Sequence, residues 1–157
     1  MNYQFRLLTV GKARDIRMAG LVDEYLKRLK DALSIVWDMV DEEPFRKDTE
    51  ERALKKEQER ILRRINSDDF VILLDVTGQL VDSLTFAERV GEWRNLGKPV
   101  VLVVGGSLGV GPLVRDRAQW RWSLSPLTLP HGLAHVMVAE QLYRAWTILQ
   151  GHPYHKA

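Results

Sequence analysis

Residues 100–112 read VVLVVGGSLGVGP, an apolar run that gives way to Gly105, Gly106, Gly109 and Gly111 just before Pro112. A short apolar run bounded by turn formers is the pattern of a strand covered on both faces, as in a parallel sheet packed between helices. Pro112 suits the first turn of a helix, where its missing N–H would have had no partner. The stretch therefore predicts a strand, a glycine turn and a helix, with the backbone open to close approach wherever no Cβ intervenes.

The same alternation fills the chain on the N-terminal side. Residues 3–10 predict a strand, and Met18, Leu21, Val22, Tyr25, Leu26 and Leu29 recur at helical spacing. Residues 34–40 are β-branched and aromatic enough for a strand, and residues 42–47 form a polar connection around Pro44. Residues 48–65 predict a charged surface helix with a narrow seam of Leu54, Ile61 and Ile65, supported by Glu51 with Lys55 and Glu59 with Arg63. Residues 70–74 are another apolar strand, and Thr85 with Glu88 reads as a capping box ahead of Phe86, Val90 and Trp93. Repeated strand and helix units, with no linker or internal repeat, predict a single α/β domain over residues 1–157, with a mostly parallel sheet flanked by helices. Ligands in such sheets bind beyond the carboxyl ends of the strands, which singles out residues 74–78 and 105–111.

Composition narrows the function. The 157 residues contain no cysteine, which excludes disulfides, thiolate metal sites and a cysteine nucleophile. No signal-peptide core or membrane-length apolar run is present, so a cytoplasmic protein is expected. Lys and Arg total 23 against 21 Asp and Glu, so the overall field is too weak for charge alone to indicate nucleic acid.

Three readings of the glycine turn compete. Gly105-Gly106-Ser107-Leu108-Gly109 satisfies G-x-S-x-G, with Asp116 and His131 or His135 following in the order of a serine hydrolase, although such enzymes need a larger sheet. Neither a P-loop nor a full G-x-G-x-x-G is present. The glycines also suit a turn with no further role.

The remainder of the chain is WRWSLSPLTLPHGLAHVMVAEQLYRAWTILQGHPYHKA, residues 120–157. With LLDVTG at 73–78 and VVGGSLG at 103–109, it closely resembles the RlmH family of the SPOUT methyltransferases over nearly the whole chain. The resemblance implies transfer of a methyl group from S-adenosyl-L-methionine to ring nitrogen 3 of a pseudouridine in large-subunit (23S) ribosomal RNA. It also implies a homodimer and a deep trefoil knot in the C-terminal half. Periodicity does not predict that knot, which the general rarity of knots argues against. The cofactor residues implied are Leu74, Gly105, Leu124, Ser125, Pro126, Leu127, Thr128 and Leu129. Leucines around a Ser and a Thr suit an apolar slot with polar edges. Read without the resemblance, residues 124–129 would be an ordinary buried strand.

Residues 133–150 predict a helix apolar around almost its whole circumference, with room for its own sheet on one side and a partner subunit on another. Within it, Glu140 and Arg144 are spaced either for an internal ion pair or for Arg144 to face cofactor or RNA phosphate. His131 and His135, and His152 and His155, lack the carboxylates that would make a metal site, so no metal is expected. His131 is expected at the turn that opens the helix, bonded to backbone. His135 departs from relatives that carry Arg there, leaving a protonated imidazole as a partial stand-in for that charge. The tail read alone is a frayed end. The resemblance makes it part of the active site, with His155 as base or proton relay, Tyr154 stacking on or bonding to the target base, and Lys156 on phosphate. The near-balanced charge then suits a large preorganised target, an assembled ribosome. A serine hydrolase using Ser107 and a noncatalytic ribosome-binding dimer are the rival readings.

Overall fold

The computed structural model describes residues 3–11 and 15–156, so Ala157 at the end of the tail lies outside it. Among the described residues, strands and helices alternate throughout: β1 (Phe5–Val10), α1 (Ile16–Leu33), β2 (Ile35–Val40), α2 (Glu50–Arg63), β3 (Phe70–Leu80), α3 (Ser83–Arg94), β4 (Val100–Val104), α4 (Pro112–Arg117), β5 (Trp120–Ser123) and α5 (His131–Leu149). The five strands run in the order β2-β1-β4-β3-β5, and every pairing between them is parallel.

Strand side chains alternate between two apolar layers, which is why the central strand, β4, is apolar at every position. On one face Phe5, Leu7, Ile72, Val100, Leu102 and Val104 pack with residues of α1, α3 and α5. On the other, Leu8, Val10, Val71, Leu73, Val101 and Val103 pack with Ile61 of α2 and Val114 of α4. The first layer is aromatic toward the β5 edge, where Phe86 stacks on Trp122 at 4.2 Å between centroids. Truncating either ring would cost about 3–5 kcal/mol.

Several boundaries differ from the sequence reading for local reasons. Helix α3 begins at Ser83 because Asp82 accepts from the Thr85 amide, so Thr85 occupies the third helical position and is not the cap. Ser34 sits outside β2 in the left-handed conformation that ends α1. Helix α2 does bury more than a narrow seam: Ala53, Glu57, Gln58 and Ile61 all face inward. Residues 124–129 form no strand; the chain leaves β5 after Ser123 and runs as a loop to Pro130.

Candidate functional site

Beyond the carboxyl end of β4 and beside the irregular middle of β3 lies a cleft of about 280 Å³. Leu74, Gly105, Leu124, Ser125, Leu127, Thr128 and Leu129 all line it, whereas Pro126 of the same loop does not. Residues far apart in sequence thus meet where an α/β sheet presents ligands. Asp75, Gly106, Leu108, Val110, Arg115 and His131 line it as well.

The loop shapes follow from their residues. A Cβ on Gly105 would lie 2.7 Å from the Gly109 carbonyl oxygen and 2.8 Å from Val110 Cγ1, so only glycine lets the turn fold back here. Gly109 completes that turn at φ +78°, its amide donating to the Gly106 carbonyl. After β5, the Ser123 hydroxyl donates to the Ser125 carbonyl, and the Ser125 hydroxyl accepts from the Leu127 amide. These short-range bonds hold the loop open and leave Leu127 72% exposed at the cleft.

The LLDVTG motif builds the opposite lip. Strand β3 shifts register against β5 between Leu74 and Gln79, and the intervening residues bulge. Asp75 Oδ1 accepts from both the amide and the hydroxyl of Thr77, at 2.9 and 2.8 Å. Asp75 Oδ2 faces Arg121 at 3.3 Å and Arg115 at 3.8 Å. Burial pushes the Asp75 carboxyl up, but the bonds from Thr77 and Arg121 outweigh it and hold the group below its usual range, ionised. Gly78 ends the bulge with the Arg121 backbone where a Cβ would be, 2.7 Å away.

Arg144, Tyr154 and His155 converge with one another, away from this cleft. The Glu140 Oε1 atom accepts from Arg144 Nε at 3.0 Å, Arg144 Nη2 at 2.8 Å and the Tyr154 hydroxyl at 3.1 Å. Arg144 Nη1 lies 3.1 Å from His155 Nδ1. Tyr154 has the Arg144 guanidinium over its ring and Tyr143 edge-on against it. Partial burial, the neighbouring Tyr25 hydroxyl and the Glu140 carboxylate all push the Tyr154 hydroxyl up, so it stays protonated. The tail is therefore docked on α5 and not frayed. Arg144 makes the internal pair with Glu140, and Tyr154 is an anchor whose ring is already packed. Ala134 lines the cleft, and the ten residues from there to Arg144 at about 1.5 Å each put the tail cluster about 15 Å along α5.

His131 opens α5 at the cleft, where no hydrogen bond from its ring to backbone is made among the described residues. His135 corrects a sequence expectation. It is fully buried, edge-on to Trp37, with neither ring nitrogen hydrogen-bonded. Burial, and then nearby His131, lowers it to about 4. It is thus neutral at physiological pH and cannot stand in for an arginine's charge.

The nucleophile elbow fails geometrically. Ser107 Oγ turns to Glu42 Oε1 at 3.4 Å, and among the described residues no histidine bonds to it. Asp116 is exposed on α4, and His135 is sealed in the core. Among the described residues no three His, Cys, Asp or Glu side chains converge to hold a metal ion, and no helix is long and apolar enough to cross a membrane.

The parallel sheet with helices on both faces is a fold the chain shares with known proteins. The chain belongs to the SPOUT methyltransferase family, whose model, described as Predicted SPOUT methyltransferase, matches residues 3–155. Among its relatives are proteins named Ribosomal RNA large subunit methyltransferase H from Hahella chejuensis and from Pseudomonas aeruginosa. Each is 40% identical, with the match covering 98% of this chain and 99% of the relative. A solved structure of a probable methylase family protein from Haemophilus influenzae Rd KW20 shares the fold, with a TM-score of 0.57 at 16% identity, over all of this chain and 72% of that one.

Proposed function

We propose that this chain is an S-adenosyl-L-methionine-dependent methyltransferase of large-subunit ribosomal RNA, a single cytoplasmic domain that works as a homodimer. Its target in this reading is ring nitrogen 3 of a pseudouridine on the assembled ribosome. The observation that carries the reading is the meeting of Leu74, Gly105 and the loop from Leu124 to Leu129 at one cleft, in a chain 40% identical to proteins named for that RNA.

The residues present fit the cofactor. An adenosyl group needs apolar walls, supplied by Leu74, Leu124, Leu127 and Leu129, with polar edges from Ser125 and Thr128. Gly105 keeps clear the volume that a Cβ would fill. When bound, S-adenosyl-L-methionine supplies a methyl group on sulfonium sulfur that is already strongly electrophilic. The chain's own work is then positioning and removal of one proton, because the target nitrogen loses its hydrogen as it takes the methyl group.

The tail serves the second task. A guanidinium only donates, so His155 Nδ1 accepts from Arg144, and the imidazole proton rests on Nε2. His155 becomes a proton acceptor when an RNA phosphate draws Arg144 away and frees Nδ1. Tyr154, anchored to Glu140, keeps the tail in place meanwhile, and exposed Lys156 adds a second phosphate contact. A cluster about 15 Å from its own cleft can instead serve the cleft of a second copy. Leu133 and Met137 on the outward side of α5, with Leu127 beside the cleft, provide exposed apolar surface for such a copy.

Tritium transfer from labelled cofactor to ribosomes of a strain lacking this gene tests the proposal, with mass spectrometry of the ribosomal RNA to locate the methyl group. One new methyl on a pseudouridine is expected. Ribosomes that bind the protein but gain no label would instead make it a noncatalytic ribosome-binding dimer.

A further inference from the structure

We propose that Asp75 and Arg115 seat the amino-acid end of the cofactor, Asp75 taking its α-ammonium and Arg115 its α-carboxylate. The assignment rests on the cofactor reading above and extends it to residues that reading did not include.

Among the described residues, Asp75 and Arg115 are, apart from His131, the only ionisable side chains lining the cleft; the rest of the lining is apolar residues, glycines, Ser125 and Thr128. A charged ligand end is stable in such a place only against opposite charge. The Asp75 carboxylate is 12% exposed and its Oδ1 is filled by Thr77, while among the described residues Oδ2 has one hydrogen bond, a long one from Arg121 at 3.3 Å, and the wider approach of Arg115 at 3.8 Å. It keeps capacity for a closer donor. Arg115 makes one hydrogen bond, from Nη2 to the Val110 carbonyl at 3.2 Å, and its Nε stands 3.8 Å from Asp75, outside hydrogen-bond reach. The remaining N–H groups of its fork are uncommitted among the described residues.

A loose acid–base pair at the end of an apolar slot suits a zwitterion. The ammonium gives Asp75 Oδ2 a closer donor beside Arg121, taking the place of the Arg115 approach, and the carboxylate gives Arg115 the planar acceptor its fork matches. Both protein charges gain a closer partner and neither is stranded. An RNA phosphate at the same place would satisfy Arg115 but face the ionised Asp75, so the geometry favours the zwitterion.

Calorimetric titration of the intact protein with two ligands that cannot be turned over tests the assignment. S-adenosylhomocysteine keeps the amino-acid end, and 5′-methylthioadenosine lacks it. Wild type is expected to favour S-adenosylhomocysteine strongly. Arg115→Gln should weaken that ligand about tenfold to a hundredfold, the scale of a lost charged hydrogen bond, and leave 5′-methylthioadenosine within about twofold. Asp75→Asn, which preserves an oxygen for Thr77, should give the same one-sided loss. Equal loss for both ligands would mean a damaged cleft and overturn the assignment. So would S-adenosylhomocysteine affinity that survives Arg115→Gln, including the case where ribosome binding falls instead. If wild type binds neither ligand, the cofactor reading itself fails, which is distinct from failure of this seat.

Discussion

Arg144 bridges Glu140, four residues before it, and His155, eleven residues after it: Nη1 meets His155 Nδ1 at 3.1 Å while Nε and Nη2 grip Glu140. Only a planar fork can do both at once. Lysine at 144 would hold one partner and release the other. Arg144→Lys is therefore expected to slow single-turnover methyl transfer to ribosomes at least about tenfold while changing S-adenosylhomocysteine affinity by less than about threefold. A parallel loss of both would show that Arg144 supports the cleft and not the tail.

His135 makes stability depend on pH in a direction that can be worked out. Its folded-state value of about 4 lies below the unfolded reference of 6.5, so between those values the unfolded chain binds more protons. Its contribution is fully present above pH 6.5 and declines as pH falls toward 4, by on the order of 3 kcal/mol at the lower end. Denaturant titrations across this range should show the decline in wild type and a flatter profile in His135→Leu. Identical slopes would mean that His135 is not the neutral buried group described above.

Gly105→Ala places a methyl group 2.7 Å from the Gly109 carbonyl oxygen, a contact that forces the turn to move. The expected cost is about 1–3 kcal/mol in unfolding free energy, with cofactor affinity falling further than stability because the displaced turn is part of the cleft. Thermal melts with and without S-adenosylhomocysteine separate the two effects: the ligand-induced rise in Tm should shrink or vanish. A variant with a lowered Tm but a full ligand-induced rise would show that the turn adapts.

The strands of this fold were legible because burial on both faces leaves an unmistakable apolar run, as in residues 100–104. The cleft was less so. Asp75 lies in the LLDVTG motif, yet nothing in sequence reveals that Thr77 holds it ionised or that Arg115 stands opposite, since a β-bulge and a separate helix bring them together. The loop after β5 has strand composition, but Ser123 and Ser125 spend their hydroxyls on its own backbone and keep it irregular. Glu57 and Gln58 look like solvated residues of a charged helix. In place, Glu57 accepts from the Glu43 amide and Gln58 accepts from the Leu113 amide at the start of α4, both beneath the glycine turn. His135 sits among apolar residues of α5, and its neutrality follows only from the packing of Trp37 and the absence of any ring partner.

Ser107 separates the methyltransferase from the hydrolase reading. Its hydroxyl is exposed and makes one long contact, to Glu42 at 3.4 Å. Ser107→Ala should leave stability within about 0.5 kcal/mol and methyl transfer unchanged. A fluorophosphonate probe should fail to label wild type at this residue; labelling that disappears in the variant would revive the nucleophile.

The distance between tail and cleft makes a stronger test possible than any single variant. If one copy's tail completes the other copy's cleft, a chain damaged only in the cleft, Gly105→Ala, and a chain damaged only in the tail, Arg144→Ala, are each inactive for different reasons. Mixed in equal amounts and allowed to exchange subunits, half of the dimers pair one of each. In such a dimer the sound tail of the first chain meets the sound cleft of the second, so one of its two sites is whole. About a quarter of wild-type activity per site should therefore return, as twofold symmetry requires. Sites built within one chain would regain nothing, because neither chain then has both parts. Met137→Glu supplies the control: a charge on the exposed side of α5 should shift sedimentation toward the monomer and abolish the recovery, while the buried face of the helix and the fold remain intact.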